Sequence, residues 1–140
     1  MGRINIGRLL AGALAAGIVG NLLHYLMNTY LMSVEMTDMM QRLNLSQFTV
    51  AGSAVTWIVV DFIWGLLLVF AYAAMRPRFG PGPTTAAISA IVLWAAVASV
   101  FAGLAAMGIY TQQAFIKESA LNLVVAVAAG MSGACVYKEA

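Results

Sequence analysis

The polar residues that can carry chemistry lie within stretches that are otherwise apolar. Asp61 is the single charged residue of its apolar stretch, and His24 is the single histidine of the chain. Asn21, His24 and Asn28 are spaced three and four residues apart, so they share one face of a helix. Asn122 occupies the last apolar stretch. An acid within a bilayer costs about 2.5–3.5 kcal/mol on insertion scales, so Asp61 needs a partner.

Two interpretations fit this buried polar cluster. If the first two spans run antiparallel, Asp61 lies level with Asn21 and within about one turn of His24. The cluster is then either a hydrogen-bonded lock between helices or a proton or cation relay built on Asp61 and His24. The residue types alone leave both interpretations open.

Two tryptophans share a helix face with Asp61. Trp57 and Trp64 lie one turn on either side of the acid. Two indoles around a carboxylate can form a cation-binding box. Alternatively, they are bulky packing residues whose N–H groups find a partner in Asp61.

His24 also allows a cofactor interpretation. Gly20 precedes it by one turn and leaves room for a flat macrocycle, so a pigment or haem ligated by His24 is an alternative to a buried, hydrogen-bonded imidazole. One histidine and one cysteine do not form a multi-ligand metal site or an intrachain disulfide within one copy. We therefore expect no metal and no resident cofactor.

The elements that position these residues follow from composition. Hydrophobic residues make up 63% of the 140 residues and charged residues 9%, whereas soluble proteins carry about 25% charged residues. Charge-poor runs predict four spans, at about 8–33, 48–75, 84–110 and 118–137. The predicted fold is an all-α, integral membrane, antiparallel four-helix bundle that forms a single transmembrane domain over residues 1–140. Soluble enzymes and nucleic-acid binders are excluded by this composition.

The links between the spans set orientation. Five basic residues fall on one side of the predicted membrane and two on the other, so both termini and the 76–83 link are predicted to be cytoplasmic. In the first external link, apolar residues recur at helical spacing from Met32 to Leu43, which predicts a short amphipathic helix in the interface. Arg76 and Arg78 are expected to lie at lipid headgroups.

The cytoplasmic link carries a family resemblance. Residues 72–86, with Arg76-Pro77-Arg78-Phe79-Gly80-Pro81-Gly82-Pro83 at their centre, resemble the central link of small, uncharacterised bacterial four-span membrane proteins. This resemblance implies a multi-pass protein of the bacterial inner, or cytoplasmic, membrane. It implies no activity, so it assigns no functional residue.

Small residues form ridges suited to close helix packing. On the first span Gly12, Ala16 and Gly20 are spaced by four, and similar runs occur from Ala95 to Gly103 and, on the fourth span, at Ala126, Gly130 and Gly133. Such ridges let helix backbones approach closely in lipid. We expect at least one of them to face a partner, either a copy of this chain or another membrane subunit.

Two functions therefore remain. The first is a non-catalytic accessory or structural subunit that packs through its small-residue ridges in a homo-oligomer or a larger membrane complex. The second is a small proton- or cation-coupled transporter or channel that uses Asp61 and His24. The first is favoured because the spans contain one acid, no interruption and abundant packing residues. We expect no enzymatic activity.

Overall fold

The computed structural model describes residues 4–138, with the side chains of 47–52 outside that description. All regular structure in this part of the chain is helical. The elements are α1 Ile6–Leu26, a π-helical turn Met27–Leu31, α2 Ser33–Arg42, α3 Gln47–Phe79, α4 Pro83–Ala106 and α5 Gln112–Val136. Four of these helices are long and apolar enough to cross a membrane, α1 being extended to Leu31 by the π turn.

The helix α1 packs between α3 and α5. Its contacts run in the opposite chain direction to both neighbours, since Gly12 lies against Gly133 and Val69, whereas His24 reaches Asp61 and Asn122. A Cβ atom added at Gly12 would lie 2.8 Å from the carbonyl oxygen of Gly133. Small residues therefore allow α1 and α5 to meet backbone to backbone.

The link between α3 and α4 is shorter than the sequence predicted. The second span was predicted to end at about residue 75, but α3 continues through Arg76, Pro77 and Arg78 and ends at Phe79. Gly80 adopts a φ of 81° and donates its N–H to the carbonyl of Arg76, so this glycine ends the helix. Pro77 is tolerated because its missing N–H removes a single helical hydrogen bond near the end.

The predicted amphipathic helix is present as α2, and it is fastened to the link between α4 and α5. Arg42 Nη2 donates to the carbonyl oxygens of Gly108 and Ile109, at 2.9 and 3.0 Å. Glu35 Oε1 pairs with Lys117 Nζ at 2.6 Å. The helix α2 therefore covers one end of the four long helices.

The last helix begins earlier than predicted. It starts at Gln112, capped by the Thr111 hydroxyl, which accepts from the Ala114 N–H at 3.1 Å. Lys117 and Glu118 therefore lie more than one turn inside the helix, whereas the sequence predicted that the helix would begin at about residue 118.

The half of the long helices nearer α2 is more open than the other half. Residues 54–60 of α3 are all exposed, and most of α4 after Ala90 is exposed as well. Toward the other end, α4 buries Ala86, Ser89 and Ala90 against its neighbours. The tight core thus lies at the end carrying the α3–α4 link.

Candidate functional site

His24 and Asp61 form the central contact of the predicted polar cluster. His24 Nδ1 lies 2.8 Å from Asp61 Oδ1, and Asp61 is 7% exposed. Because Cβ atoms tilt toward the N-terminus of a helix, side chains on antiparallel helices tilt in opposite directions along the axis, and His24 on α1 and Asp61 on α3 therefore meet although their backbones lie at different levels. Asn21, which was expected to lie level with Asp61, lies beside the backbone of Ile58.

Asn122 of α5 completes the network. Its Oδ1 lies 2.8 Å from His24 Nε2, so both ring nitrogens face an oxygen atom. With the Asn122 amide oxygen toward Nε2, that nitrogen donates to it, and a second hydrogen lies between Nδ1 and the Asp61 carboxyl. With the amide turned over, Nε2 accepts from the Asn122 NH₂ group and the network holds one proton fewer.

The other two asparagines of the predicted cluster bind backbone oxygens. Asn21 Nδ2 donates to the carbonyls of Gly17 and Ile58, at 2.9 and 3.3 Å. Asn28 Nδ2 donates to the carbonyl of His24 at 2.9 Å, where the π turn begins. Asn28 thus satisfies a carbonyl at the turn where the regular α-helical pattern changes.

The tryptophans do not form a box around the acid. Trp57 is 58% exposed, and Trp64 packs against the apolar core. Neither indole donates to Asp61 among the described residues, since the carboxylate faces His24 instead. The third tryptophan, Trp94, donates its Nε1–H to the carbonyl of Ser119 at 2.9 Å and ties α4 to α5.

A cleft beneath α2 lies one helical turn from this network, since its lining includes Asn28 and Glu118, four residues from His24 and Asn122. Its polar lining includes acids from α2 and α5, the Tyr110 hydroxyl, and Asn28 one turn from His24. The charged residues of the cleft are Glu35, Asp38, Arg42 and Glu118. One oxygen of Glu35, Oε2, is buried and makes no hydrogen bond with any described residue.

Glu118 is the functional candidate that sequence reasoning missed. It lines the cleft, is half-buried, and is close enough to His24 to interact with it electrostatically. Its carboxylate makes no hydrogen bond or ion pair within residues 4–138. The available signal was its spacing, since Glu118 lies four residues before Asn122 and therefore on the same face of the helix.

Burial of Tyr110 beside Glu118 has an electrostatic consequence at the cleft. Loss of water raises the pKa of the Tyr110 hydroxyl to about 12, with the negative charge of Glu118 as a second cause. Tyr110 is therefore a neutral hydrogen-bonding group at any physiological pH.

The route beyond Asp61 toward the α3–α4 link is closed by packing. A Cβ atom added at Gly65 would lie 2.7 Å from both the Ala13 carbonyl oxygen and the Gly17 nitrogen. Ala16 is 1% exposed and Val69 is fully buried. No Asp, Glu, His, Lys or Arg belongs to the core cluster that Ala16 and Val69 share among the described residues, so it resembles the packed interior of a soluble protein.

The small-residue ridges of α1 and α5 pack against other helices of the same chain. Gly12, Ala16, Ala126, Gly130 and Gly133 are buried where the long helices meet. Gly20 is buried too, but a Cβ atom added there would have no atom within 4 Å.

His24 has no free ring nitrogen for an axial bond to a macrocycle metal, because Asp61 and Asn122 occupy both. Within residues 4–138, no three His, Cys, Asp or Glu side chains come together as a metal site. The geometry thus favours a hydrogen-bonded imidazole over the pigment or haem alternative.

The two arginines near the end of α3 differ in placement. Arg78 is exposed, whereas the guanidinium of Arg76 lies 5.7 and 5.5 Å from the ring centres of Tyr72 and Tyr137. Arg76 is therefore held against two aromatic rings. The contact of Arg76 and Arg78 with lipid headgroups stays a prediction.

The chain matches no protein-family profile, no curated protein and no solved structure. The chemistry of the His24 network is accordingly inferred from its own atoms.

Proposed function

We propose that this chain is a non-catalytic integral membrane protein that associates, through α4, with a second copy or another membrane subunit. In the bilayer it forms a four-span antiparallel bundle with both termini in the cytoplasm. Four long apolar helices and the asymmetry of basic residues support this arrangement. Arg3, one of the five basic residues in that asymmetry, lies outside the described residues. The resemblance of the 72–86 link supports a bacterial inner membrane.

The observation that carries the proposal is the unused ridge on α4. Ala95, Ser99 and Gly103 are spaced by four, and all three are exposed. A Cβ atom added at Gly103 would meet nothing within 4 Å. Small residues give little packing to lipid chains but let another helix approach closely. Since the ridges of α1 and α5 are already buried inside, α4 is the surface left for a partner.

The test is the oligomeric state in mild detergent, measured by native mass spectrometry and by crosslinking in native membranes. Ala95→Leu and Gly103→Leu should each release the protein from its oligomer or complex, because the added bulk separates the helices. Ala11→Leu is the matched control, since Ala11 is an exposed alanine of α1 outside the ridge. A wild-type protein that is strictly monomeric and copurifies with no partner would overturn the proposal.

A proton- or cation-coupled transporter is the second candidate. The position of His24 and Asp61 near a cleft that contains several acids favours it. The closed packing between Asp61 and the α3–α4 link weighs against it, because a transported ion needs access to both sides in turn.

A further inference from the structure

The hydrogen-bond pattern of His24 can hold one proton more or one fewer. An oxygen atom lies 2.8 Å from each ring nitrogen, so the network accommodates a hydrogen on both nitrogens, and rotation of the Asn122 amide accommodates the loss of the one on Nε2. We propose that Asp61, His24 and Asn122 form a proton-binding site that exchanges its proton only with the α2 side, through Glu118. This site is independent of association through α4.

The proton leaves from Nε2. Loss of the proton breaks the Nε2–H bond, while His24 keeps its Nδ1–H directed at the Asp61 carboxylate. Nε2 then becomes an acceptor, and the Asn122 amide turns over so that its NH₂ group donates to it. The departing proton forms an O–H bond on the Glu118 carboxylate, directly or through cleft water, and the network changes from neutral to one negative charge. Uptake is the reverse of this step.

Glu118 is the group placed to make this transfer. It lies one helical turn from Asn122 on the side of the cleft, and it is half-buried without an ion-pair partner among the described residues. Glu35, the acid of α2 that points across the cleft, is already paired with Lys117. Asp38 also lines the cleft without an ion pair among the described residues, but Glu118 is the cleft acid that interacts with His24, so it is the carboxylate placed to carry a proton between His24 and the cleft.

The charges around the imidazole are few. Asp61 faces it from α3 and Glu118 from α5, whereas α4 carries no charged residue at all. The remaining titratable or charged groups line the cleft or border it, and they are Glu35, Asp38, Arg42, Tyr110 and Lys117. Asp61 and Glu118 are therefore the charged groups that face the imidazole directly.

Packing makes the access one-sided. Between the network and the α3–α4 link, Gly17 meets Phe62, and Gly65 lies against the backbone of α1. The polar side chains described in this region bind nearby backbone carbonyls, Asn21 that of Gly17 and Ser89 that of Ala86, and none is hydrogen-bonded to the His24 network. A proton bound at His24 therefore returns by the way it came, and the site binds protons without conducting them.

The experiment uses the single histidine as its own probe. The full chain carrying ¹⁵N-histidine is reconstituted into sealed lipid vesicles, and nitrogen resonances of His24 are recorded as pH is varied. As pH rises, Nε2 should change from a protonated to an unprotonated nitrogen while Nδ1 stays protonated. Glu118→Gln should slow this exchange by about a hundredfold, the usual scale for a positioned proton-transfer group. Asp38→Asn is the control, since it removes another cleft acid and should leave the exchange rate unchanged.

A second measurement needs no variant. When pH is changed outside vesicles whose interior is buffered, His24 should respond only in molecules whose α2 faces outward. A dye inside the vesicles should report no proton flux above that of protein-free vesicles. The proposal is overturned if Nδ1 is the nitrogen that loses its proton, if no titration occurs, if Glu118→Gln exchanges at the wild-type rate, or if protons cross. The oligomeric state does not affect any of these readings.

Discussion

Gly12 and Gly133 bring the backbones of α1 and α5 into direct contact. A Cβ atom on Gly12 would lie 2.8 Å from the Gly133 carbonyl oxygen, and one on Gly133 would lie 2.9 Å from the Gly12 carbonyl oxygen. The relationship is reciprocal, so neither residue can gain a methyl group unless the two helices move apart. This contact closes the core at the end opposite the cleft.

Gly12→Ala should therefore destabilise the protein by about 1–3 kcal/mol, the usual cost of overpacking a core. Gly20→Ala is the control on the same helix, because the added methyl group meets no atom within 4 Å. It should be neutral or slightly stabilising, since alanine favours a helix over glycine. Unfolding of each variant by a denaturing detergent in mixed micelles measures the difference. Equal losses at both positions would contradict the contact.

Asp61→Leu should destabilise the bundle more than Asp61→Asn. Leucine leaves the half-buried imidazole without a partner on Nδ1, at a cost of about 1–3 kcal/mol. Asparagine retains an oxygen that accepts from Nδ1–H and loses only the charge. The same two changes at the exposed Asp38, which makes no ion pair among the described residues, give the control and should differ little. The same mixed-micelle unfolding applies, and equal effects of Leu and Asn at Asp61 would show that its hydrogen bond contributes nothing.

Docking of α2 should depend on pH through Glu35. The hydrogen bond from Lys117 is the main cause that lowers the pKa of Glu35 below its ordinary value of 4.5. A lowered pKa means that the ion pair stabilises docking above about pH 4.5 and is lost as the pH falls through the pKa of the docked form. Hydrogen exchange of the α2 amides, corrected for intrinsic rates, should therefore accelerate in acid. Glu35→Gln should remove this acid-specific acceleration. If the pH dependence of exchange is unchanged in that variant, a group other than Glu35 causes it.

Orientation is testable with a single introduced thiol. In a Cys135→Ala background, Asp38→Cys should react with a membrane-impermeant maleimide added outside intact cells, because basic residues hold the opposite face inside. Arg78→Cys, at the other end of the helices, should react only after the cells are permeabilised. The reverse pattern would invert the proposed topology.

Much of the architecture was predictable because charge is scarce in this chain. Charge-poor runs predicted the four long helices, and the spacing from Met32 to Leu43 predicted α2. Exact ends were less predictable, since Pro77 signals a break while Gly80, with its positive φ, provides the end of α3. The residues of the polar network were also predictable from residue type, because few polar residues occur within the spans.

The specific partners of those groups depend on helix rotation, which composition does not encode. Trp57 and Asp61 share a helix face in the sequence pattern, yet the indole is exposed while the carboxylate turns to His24. Glu118 was overlooked because it lies at the predicted start of the fourth span, where a charged residue is expected to face the membrane surface. The capped start at Gln112 places it within the helix, where its spacing from Asn122 becomes relevant.

The three contacts made by α5 also set an order of assembly. During synthesis α1 and α3 are complete before α5, so His24 can meet Asp61 while its Nε2 still lacks Asn122. At the same stage Gly12 faces no Gly133, and Glu35 has no Lys117. Insertion of the last helix therefore completes the polar network, the helix contact and the α2 ion pair in a single event. A nascent chain interrupted before Gln112 retains its membrane insertion signals but holds an incompletely hydrogen-bonded histidine inside the bilayer.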